Sequence, residues 1–240
     1  MFVALALVVG NFFARRRAAE LSIARRDIDD FITWTSVLGL CAAYVLNIVM
    51  YSPEELGAIM REPSLLVRRW FGLSSYGGFF GGTLTAIVFA RRRGLSLIAL
   101  GDAWCFAIPF AWVFARMGCF SVHDHPGQIS DFFLAVDNYA GRGVARHDLG
   151  LYEVLWSLPV AALFYVLDRR PQQQGVFLAL IPLLYGPVRF CLDFLRATPI
   201  DGGDVRYAGL TPGQYASLLL TAIGVGLFVR LFVTQTMSRA

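Results

Sequence analysis

Two arginines lie inside stretches that are otherwise apolar: Arg116 ends the run FAIPFAWVFARMGCF, and Arg189 sits within LYGPVRFCLDFLR. A guanidinium offers a planar fork of donors suited to phosphate or carboxylate. Arg189, Asp193 and Arg196 share one helix face at spacings of four and three. A purely structural Arg189–Asp193 pair and an Arg116 that snorkels to the headgroup layer are the plainer alternatives. Glycines form a second group, in Tyr76-Gly77-Gly78-Phe79-Phe80-Gly81-Gly82. Small residues there let helices or lipid chains approach closely. All three histidines fall within 119–149. His123 and His125 are spaced for a metal, but no third ligand is evident, so no metal or cofactor is expected. His147 stands just before the buried-type carboxylate Glu153. Of the four widely spaced cysteines, Cys41, Cys105 and Cys191 read as small buried residues. Cys119 reads so too, with a nucleophilic role as the rival.

The elements that position these residues follow from composition. The chain has 240 residues, 57% hydrophobic and 16% charged, with a mean hydropathy of +0.58. A soluble domain carries about 25% charge, and a water-soluble fold of this size cannot hide so much apolar surface. The expectation is an all-α, multi-pass membrane protein forming one transmembrane domain over 1–240. All 21 basic residues are arginine. They cluster between apolar runs, as in membrane-protein loops, which argues against a nucleic-acid partner. Charge-free stretches at 1–14, 31–53, 70–90, 103–115, 154–167, 171–188 and 207–229 predict about seven spans, some completed by ionisable residues, since a span takes about 20 apolar residues. The first stretch is short and reads as a span with a shortened start rather than a cleaved signal. With the N-terminus outside, Arg15–Arg17, Arg25, Arg26, Arg91–Arg93, Arg169, Arg170, Arg230 and Arg239 fall inside. Arg61, Arg68, Arg69, Arg142, Arg146, Arg196 and Arg206 fall outside. The excess predicts N-out, C-in, with 119–149 as a long polar outer loop of functional interest. Pro109, Pro159, Pro182 and Pro187 are candidate helix breaks, as a transporter would need.

Five ordered stretches resemble the prolipoprotein diacylglyceryl transferase family. SSYGGFFGGTLTAIVFARRRG resembles its His-Gly-Gly pair and glycine-rich helix, and GDAWCFAIPFAWVFARMGCF its Ser-Asp helix leading to Gly-Arg-(Ile/Leu)-Gly-Asn-Phe. RHDLGLYE resembles Arg-His-Pro-Ser-Gln-Leu-Tyr-Glu. GVFLALIPLLYGPVRFCLDFLR resembles the helix with Tyr-Gly-x-x-Arg-x-x-x-Glu-Phe, and LTPGQYASLLL the start of the last helix. The first 70 residues match more faintly.

The resemblance implies a bacterial inner-membrane enzyme with a central lipid cavity. It would move the diacylglyceryl group of phosphatidylglycerol to the lipobox cysteine of a prolipoprotein signal peptide, with glycerol phosphate leaving. It implies catalytic roles for Arg116, Arg189, His147 and Tyr76. It implies substrate-binding roles for Gly77, Gly78, Gly118, Cys119, Asp124, Gly127, Glu153 and Asp193. The departures concern proton transfer. The family's His is Tyr76 here, its signature Asn is Cys119, and an acidic position is Asp124. Its Ser-Gln pair is Leu149-Gly150, and its sixth-helix Glu is Asp193. A tyrosine of pKa about 10 is a poor base at neutral pH. Open alternatives are a membrane transferase with another lipid donor or acceptor, and a non-catalytic lipid-binding homologue.

Overall fold

The structure is a computed structural model describing residues 1–69, 72–137, 139–141, 143–198 and 203–239, with side chains through residue 231. Arg142, the Arg239 side chain and the first two residues of the 70–90 stretch lie outside the described residues. The chain forms two compact units, Met1–Arg25 with Ile98–Ala240, and Arg26–Leu97.

The elements of the first unit are helices α1 (Phe2–Glu20), α6 (Leu97–Val122), α7 (Leu149–Leu167), α8 (Val176–Leu192) and α9 (Pro212–Arg239). A small antiparallel ribbon of β1 (Pro126–Ile129) and β2 (Arg146–Asp148) completes it. Phe106, Phe110, Phe164, Phe177 and Ile181 form its core, and Phe13 of α1 stacks on Phe110 at 3.7 Å. In lipid such contacts act through close packing rather than through exclusion of water. Helices α8 and α9 meet at small residues: a Cβ on Gly186 would strike the Thr221 hydroxyl and come within 3.0 Å of the Ser217 carbonyl. At the other end Arg17 is buried against Asp102, Nη2 to Oδ2 at 2.7 Å, while Asp102 Oδ1 accepts from the amide of Phe177 at 2.8 Å. One carboxylate thus neutralises a charge on α1 and caps the start of α8.

The second unit contains α2 (Arg25–Tyr51, entering it at Arg26), the short α3 (Leu56–Arg61) and α4 (Leu65–Arg68), and α5 (Ser75–Arg93). Ser74 caps α5, its Oγ accepting from the Gly77 amide, while its own amide donates to the Ala43 carbonyl. A Cβ on Gly77 would lie 2.6 Å from Ala43 Cα, and one on Gly81 2.5 Å from Ala42 Cβ, so α2 and α5 touch backbone to backbone. Arg93 closes the far end on Asp27 and Asp30.

Among the described residues five helical stretches are long and apolar enough to cross a membrane: Arg25–Tyr51, Leu97–Val122, Leu149–Leu167, Val176–Leu195 and Pro212–Leu231. The protein is therefore an all-α, multi-spanning membrane protein apart from its small ribbon. Helices α1 and α5 each carry a triple arginine, Arg15–Arg17 and Arg91–Arg93, which sets them outside that group. Exposed Leu218, Leu219, Ile223 and Val225 give α9 the apolar face that lipid requires.

Three expectations change. The four prolines do not break their helices; α6, α7 and α8 run through them, because neighbouring helices and local adjustment satisfy the freed carbonyls. The outer segment is not loop throughout. Helix α6 continues to Val122 and stops where His123 takes a left-handed φ of 51°, and the ribbon pairs Pro126 with Asp148 and Ile129 with Arg146. Of the cysteines, Cys105 is buried, but Cys41 and Cys191 are exposed on the protein surface. Both stand on spanning helices, where an apolar side chain facing outward meets lipid rather than water.

Candidate active site

The first unit gathers ionisable side chains from three helices around Glu153. Glu153 projects from α7, 2% exposed. Its Oε2 lies 2.8 Å from Arg116 Nε on α6, and its Oε1 3.2 Å from Arg189 Nη1 on α8. The Tyr185 hydroxyl donates to Oε2 at 3.3 Å. Tyr185 stands one turn before Arg189, so both face the same carboxylate. Trp112 packs against Tyr185 at a tilt of 41°, 4.3 Å between ring centres, and carries the Arg116 guanidinium over its face at 5.4 Å.

Arg189 continues the chain of charges. Its Nη2 meets Asp193 Oδ1 at 2.9 Å, and that oxygen also accepts from Arg196 Nε at 3.0 Å. Arg196 in turn reaches Asp204 at 2.7 Å. Asp193 Oδ2 accepts from the Thr211 hydroxyl at 2.6 Å. Thr211 is held by a reciprocal cap at the head of α9: its Oγ1 accepts from the Gln214 amide, and Gln214 Oε1 accepts from the Thr211 amide. Three guanidiniums, of Arg116, Arg189 and Arg196, thus face three carboxylates, of Glu153, Asp193 and Asp204. Such an arrangement offsets part of the desolvation that lone buried charges would incur.

The segment after α6 lies against this cluster. Arg116 Nη1 is 3.8 Å from Cys119 Sγ, one turn on. Gly118, beside Cys119, lets α1 approach: a Cβ there would sit 3.1 Å from Phe2 Cβ. Gly127 is wedged, since a Cβ would lie 2.5 Å from His147 Cβ and 2.8 Å from the Leu195 carbonyl oxygen. It faces Arg196 in a bridge, which ties the ribbon to the end of α8. Asp148 caps α7 through the Leu151 amide and takes the His123 ring at 2.7 Å on its other oxygen. His123 is thereby engaged by Asp148, whereas the His125 ring is hydrogen-bonded to Asp124. The two histidines do not act as a pair; His125 instead gathers with Asp124 and Cys119. Burial pushes the His125 imidazole below its usual value, against the pull of Asp124. Burial works to raise the Asp124 carboxyl, but His125 and Arg116 hold it below the ordinary range. His147 bonds the Tyr152 hydroxyl at 2.6 Å and is also pushed down by burial.

Tyr76, Gly77 and Gly78 open α5 in the second unit. Gly77 is accounted for by the α2 contact. A Cβ on Gly78 would meet nothing, so packing does not explain that glycine.

The model of the family described as prolipoprotein diacylglyceryl transferase matches residues 1–230. The chain belongs to that family. The match starts at residue 1, so it takes in the first 70 residues, where the motifs are faint. Among relatives, the phosphatidylglycerol–prolipoprotein diacylglyceryl transferase of Chromohalobacter salexigens is 31% identical over 226 residues, 91% of this chain and 81% of its own. The proteins of the same description from Allorhizobium ampelinum and Rhizobium meliloti are each 29% identical. They cover 91% and 93% of this chain, and 80% and 84% of their own lengths. Within the diacylglyceryl transferase family frame, motif reading assigns Tyr185 of the Tyr-Gly-x-x-Arg stretch no role, does not single out Trp112 or Thr211, and places Arg196 on the Arg189 face without a role. The Tyr185–Arg189 spacing of four was the available signal for the first. Nothing in sequence pointed to Thr211, which enters through a contact with Asp193 from the residue that precedes α9.

Proposed function

We propose that this protein transfers the diacylglyceryl group of phosphatidylglycerol to the lipobox cysteine of prolipoproteins at the outer face of the bacterial inner membrane. The observation that carries the reading is Glu153 shared between Arg116 and Arg189, two buried guanidiniums on separate spanning helices. As the C–O bond of the donor breaks, charge grows on the departing glycerol phosphate. Preorganised guanidiniums in a dry site stabilise such charge strongly. Arg116 and Arg189 hold the phosphate; Glu153 fixes their forks, and Asp193 with Thr211 fixes Arg189 from the other side. His147 and Tyr76 are the titratable groups assigned to proton movement. Gly78, with open space beside it, admits an acyl chain, while Gly77 holds α5 against α2 next to it; Gly118, Cys119, Asp124 and Gly127 border the headgroup. In this reading residues 1–240 act as one transmembrane domain of seven spans, α1 and α5 included. It is N-out and C-in, with 119–149 outside and a central cavity for lipid and signal peptide.

Expression in a bacterium depleted of its own enzyme tests this. Growth, with a diacylglyceryl mass on the lipobox cysteine, is the expected result. Arg116→Ala and Arg189→Ala should each abolish transfer while the protein still inserts. Full activity in either variant would sink the phosphate-binding roles. Modification by a lipid other than phosphatidylglycerol would shift the reading to a related transferase.

A further inference from the structure

Cys119, Asp124 and His125 come together at the outer end of α6, one ligand atom from each within 4.8 Å of the others. The cluster arises because His123 ends the helix in a left-handed turn, which folds Asp124 and His125 back over the last turn that carries Cys119. We propose that these three side chains bind a zinc ion whose fourth position takes the acceptor thiol. The inference rests on the transfer reaction proposed above and adds, to the proton movement assigned there to His147 and Tyr76, a metal that makes the thiol a nucleophile.

The donor set fits. Thiolate, imidazole and carboxylate are the ligand types of zinc, and three protein ligands with one open position is the pattern of catalytic rather than structural sites. A tetrahedral site places its ligand atoms about 3.5 Å apart, which small side-chain rotations reach from the present spacing. Asp124 is exposed and the other two are partly so, which leaves one side open to a substrate. The charges also close. Zinc with the Cys119 thiolate, the Asp124 carboxylate and a neutral His125 is uncharged. The flanking Arg116 and Arg196 are compensated by Glu153, Asp193 and Asp204. With Cys119 Sγ 3.8 Å from Arg116 Nη1, the metal would stand beside the guanidinium that holds the donor phosphate.

The step balances without an oxidant or reductant. The lipobox thiol binds zinc and gives its proton to water, since a coordinating thiol is deprotonated outright. The sulfur pair then forms a C–S bond to the glyceryl carbon. That carbon's C–O bond breaks, and its electron pair leaves on the glycerol phosphate. The product is a thioether, a weaker zinc ligand than a thiolate, so it departs.

The purified protein, residues 1–240 in detergent and stripped with a chelator, is titrated with Zn²⁺ and then with Co²⁺. One metal per chain is expected, with a sulfur-to-cobalt absorption band. Cys119→Asn and Cys119→Ser should remove the band, and with Asp124→Asn and His125→Gln should weaken zinc binding at least tenfold. A lipobox peptide should strengthen the band, and its cysteine-to-serine counterpart should not. Chelated protein should lose transfer and regain it with Zn²⁺. Absence of stoichiometric binding, binding unchanged in both Cys119 variants, or full transfer by the chelated protein would each overturn the proposal. Metal and peptide sulfur bound as expected, with no transfer from phosphatidylglycerol, would leave the metal site standing and refute the transfer reaction instead.

Discussion

Removing the Glu153 carboxylate leaves Arg116 and Arg189 buried without their shared counter-ion. Deleting one partner of a buried ion pair costs about 3–5 kcal/mol, so Glu153→Ala should lower the thermal midpoint in detergent and abolish transfer together. Arg116→Lys separates shape from charge. The ammonium keeps the charge but loses the fork that spans Glu153 and the Cys119 side, and a lysine is no substitute at such a site. Transfer should fall roughly 100-fold, the scale of losing one oriented donor, with the thermal midpoint less affected than in Glu153→Ala. An unchanged rate would show that charge alone suffices. At this scale the sequence was informative about which residues matter and uninformative about whom they touch. Arg116 and Arg189 stood out because charge within apolar runs is costly. Their common partner is 37 residues from one and 36 from the other, a relation that no local spacing encodes.

Helix α5 leans on α2 through Gly77 and Gly81, while Gly78 faces open space. Gly81→Ala and Gly77→Ala should therefore force the pair apart and destabilise the second unit, by roughly 1–3 kcal/mol as overpacking usually does. Gly78→Ala should leave the thermal midpoint unchanged, and equal loss in all three variants would refute the contact pattern. The ribbon should respond to pH through His147. Its pKa is lowered by burial, so the unfolded chain, near 6.5, binds the proton more readily than the folded one. Stability is then fully present above about pH 6.5 and is lost as pH falls through the folded value. Amide exchange in Arg146–Asp148 should quicken between pH 7.5 and 5.5 beyond the intrinsic rate change, and His147→Gln should blunt the effect. The helices themselves were legible because lipid admits little but apolar side chains: among the described residues each charge-free stretch overlaps a helix. The ribbon was not, since three or four polar residues carry no periodicity. The prolines misled because their effect depends on neighbours that local sequence does not show.

Orientation is a property of the whole chain, set by where its arginine clusters lie. If the seven-span, N-out reading holds, a fluorescent protein fused after Ala240 should fluoresce and alkaline phosphatase at the same place should be inactive. The reverse pattern would overturn the assignment. The membrane class was readable from composition alone. Arg17 has a consequence in time as well as in space. Its counter-ion Asp102 is 85 residues later, and the α8 amides that share Asp102 come some 75 residues after that. At a synthesis rate of roughly 5–20 residues per second, α1 waits on the order of ten seconds or more before its buried charge has a home. A helix made early would be among the last to settle.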